Sequence, residues 1–409
     1  MRTRHGYPYR MTRRFHPAHR FQTLVVGSGP AGIAAAVCAA EAGHRVGMVD
    51  DNPNPGGQIW RSLCGQSTPD TSHGGSASDW YSRLIATSAT RLQGWSVFDQ
   101  PEPGILRAER QSETVHLHYD HLILATGARE RFLPFPGWTL PNVMGVGAIQ
   151  AMVKGGLPVD GRRVVLAGSG PLLLAVAAAL KAARANVICV CEQAPLRQLV
   201  PFALGLAADP AKIVQGLRYK AATFDIPFHT GAWPVEAEGD DILRSVTISH
   251  HGERRRISCD YLACGFHLVP NTELAAMLGC LVKAGSVSVD ELQRTSMPNI
   301  FCAGEPTGIG GLELSLIEGQ IAGLASAGRA KEAHLLFEKK RKASRFADRL
   351  AAAFALRPEL KELPQETTLV CRCEDVPYGA LKTHDSWRAA KLHTRCGMGP
   401  CQGRICGTA

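Results

Sequence analysis

Long hydrophobic runs are missing from this 409-residue chain, although 45% of its residues are hydrophobic. No stretch of about twenty apolar residues occurs, so the sequence predicts no membrane-spanning helix. The best apolar stretch, residues 164–180, is interrupted by Gly-Ser-Gly-Pro at 168–171, a pattern typical of a strand, a turn and a helix. The composition is otherwise that of a globular chain of two or three domains.

Acidic residues are absent from the first twenty positions, which carry six arginines. These arginines supply most of the formal net charge of +9, so the rest of the chain offers no basic groove for nucleic acid. The segment also lacks the apolar region of a secretory signal peptide. We expect residues 1–20 to be a disordered basic arm, with a targeting peptide or a true start at Met11 as alternatives. The expected location is the cytoplasm, with membrane association only through partners.

A dinucleotide-binding unit is predicted over residues 23–50. The apolar run 23–26 leads into Gly-Ser-Gly-Pro-Ala-Gly at 27–32, an Ala-rich helical run follows, and a second strand ends at Asp50. The glycines allow a tight turn, approach of the backbone to a pyrophosphate, and close packing of helix on strand. The helix N-terminus presents free N–H groups to phosphates, and the Asp50 carboxylate can bind ribose hydroxyls. Together these features predict binding of an adenine dinucleotide.

The same unit occurs a second time. An apolar run at 164–167 precedes Gly-Ser-Gly-Pro at 168–171, and the next predicted strand ends at Glu192. Leu173 stands where the third glycine belongs, and its bulk should hold the helix away from the strand or force it to shift. The sequence therefore predicts a second Rossmann-like domain, for which a structural role is favoured over NAD(P) binding.

Three further motifs resemble those of FAD-binding oxidoreductases of the disulfide-reductase type. They are Pro-Gly-Gly-Gln at 55–58, Ala-Thr-Gly at 125–127 and Ala-Gly-Glu at 303–305. The C-terminal cysteine motifs, Cys-Arg-Cys at 371–373 and Gly-Met-Gly-Pro-Cys-Gln-Gly-Arg-Ile-Cys at 397–406, resemble one subfamily. That subfamily holds the alpha subunits of opine oxidase, hydroxyproline dehydrogenase and hydrogen cyanide synthase, and the sarcosine oxidase alpha chain is a larger relative.

The resemblance implies an α/β fold with two nested Rossmann-like domains and a small C-terminal helical [2Fe-2S] domain. The implied order is an FAD-binding domain over 21–158 and 266–330, a second Rossmann-like domain over 159–265, a helical linker over 331–365, and a bacterioferritin-associated-ferredoxin-like domain over 366–409. The implied FAD-binding residues are Gly27, Gly29, Pro30, Ala31, Gly32, Asp50, Gly57, Gln58, Ala125, Thr126, Gly127, Gly304 and Glu305.

Five of the thirteen cysteines lie between positions 371 and 406. Four thiolates suit a [2Fe-2S] cluster, a [4Fe-4S] cluster or structural zinc, and zinc sites more often use C-x-x-C spacing. The C-x-C pair and the distant second pair resemble the bacterioferritin-associated-ferredoxin type. The resemblance implies Cys371, Cys373, Cys401 and Cys406 as ligands of [2Fe-2S] and leaves Cys396 outside the ligand set.

Two kinds of redox site are missing. Neither predicted dinucleotide domain contains C-x-x-C, which excludes dithiol chemistry of the thioredoxin-reductase type, and no C-terminal His–Glu pair of the disulfide reductases is found.

No base or carboxylate clamp for a substrate accompanies the flavin motifs. Arg129 and Arg131, just after the Ala-Thr-Gly motif, are the nearest candidates. The catalytic residues are therefore unknown from the sequence.

The resemblance implies a flavin/iron–sulfur electron-transfer subunit of an amino-acid dehydrogenase acting on an opine, hydroxyproline or a similar secondary amine. Its expected partner is a flavoprotein beta subunit, and a small ferredoxin-like subunit is a second candidate. A self-sufficient NAD(P)H-dependent reductase of the ferredoxin type is the alternative, and a non-enzymatic docking module is a third hypothesis.

Overall fold

The computed structural model describes residues 14–15, 19–60, 74–206 and 210–408. It divides into two compact units. Unit 1 comprises Met1–Ala128 and Pro270–Arg345, and unit 2 comprises Arg129–Val269 and Phe346–Ala409. Most of the predicted basic arm over 1–20 lies outside the described residues, and the second strand already begins at His19.

The strands and helices alternate along most of the chain, as expected for an α/β fold. The strands are β1 (Arg14–Phe15), β2 (His19–Val26), β3 (Val46–Asp50), β4 (Thr90–Gln93), β5 (Ser96–Glu102), β6 (Ile105–Arg110), β7 (Glu113–Leu124), β8 (Ala128–Glu130), β9 (Val143–Gly145), β10 (Arg163–Ser169), β11 (Asn186–Glu192), β12 (Phe228–Thr230), β13 (Ala232–Glu238), β14 (Ser245–His250), β15 (Glu253–Ser258), β16 (Tyr261–Phe266), β17 (Leu268–Pro270), β18 (Val282–Lys283), β19 (Ser286–Val287), β20 (Ile300–Cys302), β21 (Leu369–Cys371) and β22 (Val376–Pro377).

The helices are mostly short, and none in the described part of the chain is long and apolar enough to cross a bilayer. They are α1 (Pro30–Glu41), α2 (Gly74–Ala86), α3 (Val146–Lys154), α4 (Leu172–Ala182), α5 (Leu196–Gly205), α6 (Pro210–Ala222), α7 (Glu273–Met277), α8 (Gly311–Ser326), α9 (Ala330–His334), α10 (Phe337–Ala353), α11 (Tyr378–Lys382) and α12 (Trp387–Thr394).

Unit 1 is built on a sheet in the order β4-β3-β2-β7-β6-β5, with β1 and β20 also paired to β7. β2, β3, β4 and β20 run parallel to their neighbours, whereas β5, β6 and β7 form the antiparallel excursion predicted between residues 95 and 127. Helices α1 and α8 pack closely because α8 has no side chains at Gly319 and Gly323, where it faces α1. A Cβ at these positions would lie 2.2 Å from the Ala31 oxygen and 2.4 Å from the Ala35 oxygen.

Unit 2 has a parallel sheet in the order β12-β11-β10-β16-β9 and an antiparallel sheet of β13, β14 and β15. The structure groups residues 129–158 with this unit, whereas the sequence analysis places them in the FAD-binding domain. The reason is that β9 pairs with β16, from Leu262 to Cys264. The C-terminal segment also belongs to unit 2, where it forms the β21–β22 pair and the short helices α11 and α12.

Leu173 shifts the start of its helix, as the sequence analysis expected for a bulky residue at that position. In unit 1, Ile33 N–H donates to Gly29 O at 2.9 Å, which closes a full α-helical turn. In unit 2, Leu173 N–H instead donates to Gly170 O at 3.1 Å, a tighter turn of three residues. The Leu173 side chain is 1% exposed and belongs to the core of this unit.

Candidate cofactor sites

The first glycine turn of unit 1 lies against the end of β7. Gly27 has φ +103°, and a Cβ there would lie 2.2 Å from Ala125 O. A Cβ at Gly32 would lie 1.9 Å from Gly27 O. Only glycine is compatible with these two contacts, so the turn and the start of α1 are held tightly against the sheet. Pro30 is the first residue of α1, a position that needs no backbone donor.

An open cradle lies at Gly29. In the described part of the chain, a Cβ on Gly29 would meet nothing closer than the Cα of Gly57, at 3.9 Å. Gly57, with φ +58°, approaches so closely that its own Cβ would lie 2.9 Å from Gly29 Cα. The approach is fixed by Gly56 N–H, which donates to Ser28 O at 2.8 Å. The backbone of the 55–58 segment therefore faces the glycine turn, and Gln58 is exposed at its edge.

Asp50 organises the same turn from the end of β3. Its Oδ2 accepts from Ser28 N–H at 2.5 Å, and its Oδ1 accepts from the backbone and side-chain nitrogens of Asn52, both at 2.7 Å. The carboxylate is 9% exposed. Asp50 thus stands at the tip of the strand, the position predicted for a ribose-binding acid. Its carboxylate already accepts from the backbone N–H groups of Ser28 and Asn52.

The Ala-Thr-Gly segment after β7 is held by a residue absent from the predicted set. Thr126 Oγ1 donates to Asn271 O at 2.7 Å, and Asn271 Nδ2 donates to Thr126 O at 2.9 Å. Gly127, with φ +68°, also accepts from Asn271 N–H at 3.0 Å. Asn271 therefore fixes the loop in which Thr126 and Gly127 were predicted to face the cofactor.

The Ala-Gly-Glu segment brings a half-buried carboxyl, with one buried oxygen, into unit 1. Glu305 Oε1 accepts from Gly311 N–H at 2.9 Å, at the start of α8. No hydrogen-bond partner of its buried Oε2 is found among the described residues. Burial raises the pKa of the Glu305 carboxyl to about 7. An unsatisfied buried acceptor of this kind is compatible with a ligand hydroxyl as its missing donor.

Glu318 is a buried carboxyl that the motifs did not predict. It is 5% exposed, and its Oε2 accepts from Gly304 N–H and from Thr307 Oγ1, both at 2.9 Å. Burial raises the pKa of this carboxyl as well. Gly304, with φ +80°, lies against Ala31, so Glu318 joins the Ala-Gly-Glu loop to the start of α1. Its signal in the sequence is an acid in the middle of an apolar helical run.

The C-terminal cysteines gather in unit 2. The sulfurs of Cys371, Cys396 and Cys406 are buried and lie within 4.8 Å of one another. A cavity of about 160 Å³ adjoins them, and its lining holds all four predicted ligands but not Cys396. Its lining residues are Phe132, Trp138, Cys371, Arg372, Cys373, Cys401, Ile405 and Cys406.

Two side chains from the beginning of unit 2 hold the cysteine segment. Trp138 Nε1 donates to Leu369 O at 2.6 Å, next to the C-x-C pair. Arg129 Nε donates to Arg404 O at 2.9 Å, between Cys401 and Cys406. The candidate substrate clamp Arg129 therefore contacts the cysteine segment in this structure. No motif in the sequence indicated the role of Trp138.

A family profile for pyridine nucleotide-disulphide oxidoreductases matches residues 21–329. The chain belongs to this family. An opine oxidase subunit of Rhizobium meliloti is 33% identical to it, over 95% of this chain and 90% of the relative. Hydrogen cyanide synthase subunit HcnB of Pseudomonas aeruginosa is 32% identical, over 94% of this chain and 90% of the relative. The resemblance to that subfamily is thereby confirmed, and the chain is an FAD-dependent oxidoreductase.

The fold is also that of solved structures in this class. L-Proline dehydrogenase from P. horikoshii superposes with a TM-score of 0.66, at 19% identity, over 96% of this chain and 73% of that one. An α/β fold of the Rossmann type is therefore confirmed.

Proposed function

We propose that this chain is the flavin/iron–sulfur electron-transfer subunit of a complex that dehydrogenates an amino acid, namely an opine, hydroxyproline or a similar secondary amine. The observation that carries the proposal is the cavity of unit 2, which four of the five clustered cysteines line. A flavoprotein with a thiol-lined cavity suits electron transfer better than hydride transfer alone. The names of the two curated relatives, both of which describe one subunit of an enzyme, support action within a complex.

The residues of unit 1 fit FAD. The open side of Gly29 leaves space for a pyrophosphate, and the N-terminus of α1 supplies backbone donors to it. Asp50 stands at the position of a ribose acceptor, and Glu305 Oε2 is a buried acceptor that a ribityl hydroxyl would satisfy. Two close approaches connect other residues of the predicted set, namely Gly27 against Ala125 and Gly304 against Ala31.

The residues of unit 2 fit a [2Fe-2S] cluster, held by Cys371, Cys373, Cys401 and Cys406. All four line one cavity, while the fully buried Cys396 lies outside its lining. When bound, FAD would take up electrons in pairs and the cluster would pass them on singly, which is the task of a relay. Trp138 and Arg129 would keep the two cysteine pairs in place through main-chain carbonyls of the segment.

A partner subunit is supported by apolar side chains that unit 2 leaves in contact with solvent. On α5, Leu196, Val200 and Leu204 recur every four residues and are 61%, 46% and 71% exposed. On α6, Leu217 is 64% exposed. Exposed apolar residues that form a contiguous patch are typical of a protein-binding surface. We assign this face to the flavoprotein beta subunit.

Leu204→Glu should separate the chain from that partner without unfolding it. The side chain is largely exposed, so its replacement costs little stability, but a carboxylate in an apolar interface remains unpaired. The matched control is Leu335→Glu, at a leucine of unit 1 that is 78% exposed. In co-purification with a flavoprotein beta subunit, we expect a loss of at least about tenfold for the first variant only. Equal retention of the partner by both variants would remove α5 from the interface.

The isolated chain should not dehydrogenate any amino acid. Amine oxidation requires groups that orient the substrate carboxylate and nitrogen at the flavin. The nearest candidate clamp, Arg129, already donates to Arg404 O, and Arg131 is half-buried with a pKa that burial lowers. The measurement is dye reduction with proline, hydroxyproline, opines, sarcosine and glycine, before and after reconstitution with the beta subunit. Robust turnover by the single chain would make it a complete dehydrogenase instead of a relay.

The alternative, an NAD(P)H-dependent reductase, is supported by partial relatives. Rhodocoxin reductase of Rhodococcus erythropolis is 32% identical over 49% of this chain. Such an enzyme must bind a nicotinamide dinucleotide, so its test is whether NADH bleaches the flavin of the purified protein. Such a dinucleotide would have to bind at the second Rossmann-like domain, in unit 2.

A further inference from the structure

The parallel sheet of unit 2 is an open sheet, so the position expected for a nucleotide crevice is at the carboxyl ends of its central strands. In open α/β sheets, nucleotides bind at this edge, beside the glycine turn and the acid of the second strand. β11, β10 and β16 are adjacent here, and they end at Glu192, Ser169 and Phe266. A nicotinamide dinucleotide would therefore have to enter between these three ends.

One carbonyl group of the chain already lies at all three strand ends. Phe354 O accepts from Ser169 Oγ at 3.1 Å, from Gln193 Nε2 at 3.3 Å and from His267 Nε2 at 2.5 Å. These donors stand at the last residue of β10, just after β11, and just after β16. Phe354 follows directly on the last residue of α10, at the start of segment 354–357.

Segment 354–357 makes further bonds to the same glutamine. Gln193 Nε2 also donates to Ala355 O at 3.2 Å, and Gln193 Oε1 accepts from Arg357 N–H at 3.1 Å. Gln193 is fully buried, and its Nε2 also donates to Ser169 Oγ at 2.9 Å, so both ends of its amide are engaged by the strand end and the segment. The Phe354 side chain is 8% exposed, and its ring meets that of Phe202 edge-on at 5.4 Å. The segment is therefore packed as well as hydrogen-bonded.

The acid of the second strand is fully engaged too. Glu192 Oε2 accepts from Gly170 N–H at 2.7 Å, and its Oε1 accepts from Ala194 N–H at 2.8 Å. The Ser169 hydroxyl lies 3.1 Å from both Glu192 Oε1 and Phe354 O and shares its one proton between them. Glu192 is 1% exposed, compared with 9% for Asp50 in unit 1. A ribose hydroxyl would have to displace these bonds and reach a carboxylate that the protein covers.

We propose that segment 354–357 is a built-in ligand of unit 2, which fills the nucleotide crevice in place of NAD(P)(H). The crevice then serves as an anchor for the cysteine segment, because the chain continues from Arg357 to the fully buried Leu360 and to Leu369, whose carbonyl oxygen accepts from Trp138. The second Rossmann-like unit thus supports the cysteine cavity instead of binding a nicotinamide.

The test combines nucleotide binding with amide exchange on the flavin-loaded, full-length protein. In the wild type, we expect no saturable binding of NAD⁺, NADH or NADP⁺ by calorimetry, no bleaching of the flavin by NADH, and strong protection of the Arg357 amide. Gln193→Ala removes the amide group that contacts Phe354 O, Ala355 O and Arg357 N–H. It should raise hydrogen exchange at Arg357 by about tenfold or more, with flavin content unchanged.

The matched control is Gln198→Ala, a glutamine at the start of α5 whose Oε1 has no partner among the described residues. It should leave the exchange rate at Arg357 as in the wild type. Saturable NADH binding to the wild-type protein would overturn the proposal, and so would free exchange at Arg357 in the wild type or equal exchange in the two variants. None of these readouts depends on iron content or on amine turnover, so they stand apart from the test of the relay function.

Discussion

Gly29→Val should yield a folded chain that purifies without flavin. Its backbone is extended at φ −71°, which valine adopts easily, and among the described residues its Cβ would approach nothing closer than 3.9 Å. The new side chain therefore fits the protein, but its methyl groups occupy the space beside the turn that a pyrophosphate needs. We expect less than about a tenth of the wild-type flavin per chain, since the glycine at this position exists for that close approach.

Flavin absorbance per chain measures the cofactor content of the variant, and circular dichroism measures whether it is folded. Gly216→Val is the matched control, because this exposed glycine on α6 also has open space around its Cβ. It should keep its flavin. Gly32→Ala is the contrasting variant, since its methyl group would lie 1.9 Å from Gly27 O and should impair folding itself. Full flavin retention in Gly29→Val would place the cofactor elsewhere.

Cys401→Ala should abolish the iron–sulfur signal, while Cys396→Ala should leave it intact. Both positions lie in the same C-terminal segment, but Cys401 lines the cavity and Cys396 is buried outside its lining. Loss of one of four thiolates leaves an iron atom with an incomplete ligand set, so we expect the iron content to fall from about two atoms per chain to near zero. Alanine at 396 removes only a buried thiol.

Iron analysis and electron paramagnetic resonance of anaerobically purified protein provide the measurement. Because the sulfur of Cys396 lies within 4.8 Å of those of Cys371 and Cys406, the pair of variants also decides between two ligand sets. Loss of the signal in Cys396→Ala would bring Cys396 into the set. Zinc in place of iron in the wild type would remove the cluster from the proposal altogether.

The features that a sequence can predict depend on local chemistry. The turn at Gly27 requires a positive φ and the absence of a side chain, and the glycine of the motif meets both requirements. The acid at Asp50 follows from its place at the end of an apolar run. The C-x-C spacing likewise brings Cys371 and Cys373 to one cavity without any information from elsewhere in the chain.

The parts that the sequence missed depend on distant partners. Trp138 reaches a carbonyl 231 residues further along the chain, and Asn271 bonds to Thr126 across 145 residues. Nothing in the local pattern around either residue indicates such a partner. The grouping of residues 129–158 with unit 2 also depends on β9, a strand of three residues that is too short to show a hydrophobic period.

Segment 354–357 has a consequence for how relatives with the same closed crevice can be found. The atom shared by Ser169, Gln193 and His267 is a main-chain oxygen, so most substitutions at position 354 leave the acceptor in place. We expect the side chains of the segment to vary among relatives, whereas the three donor residues should be retained. A genome search for closed crevices should therefore ask for a serine in the second glycine turn, a glutamine after the acid and a histidine after β16. A search for similarity in the linker would pass over most of them.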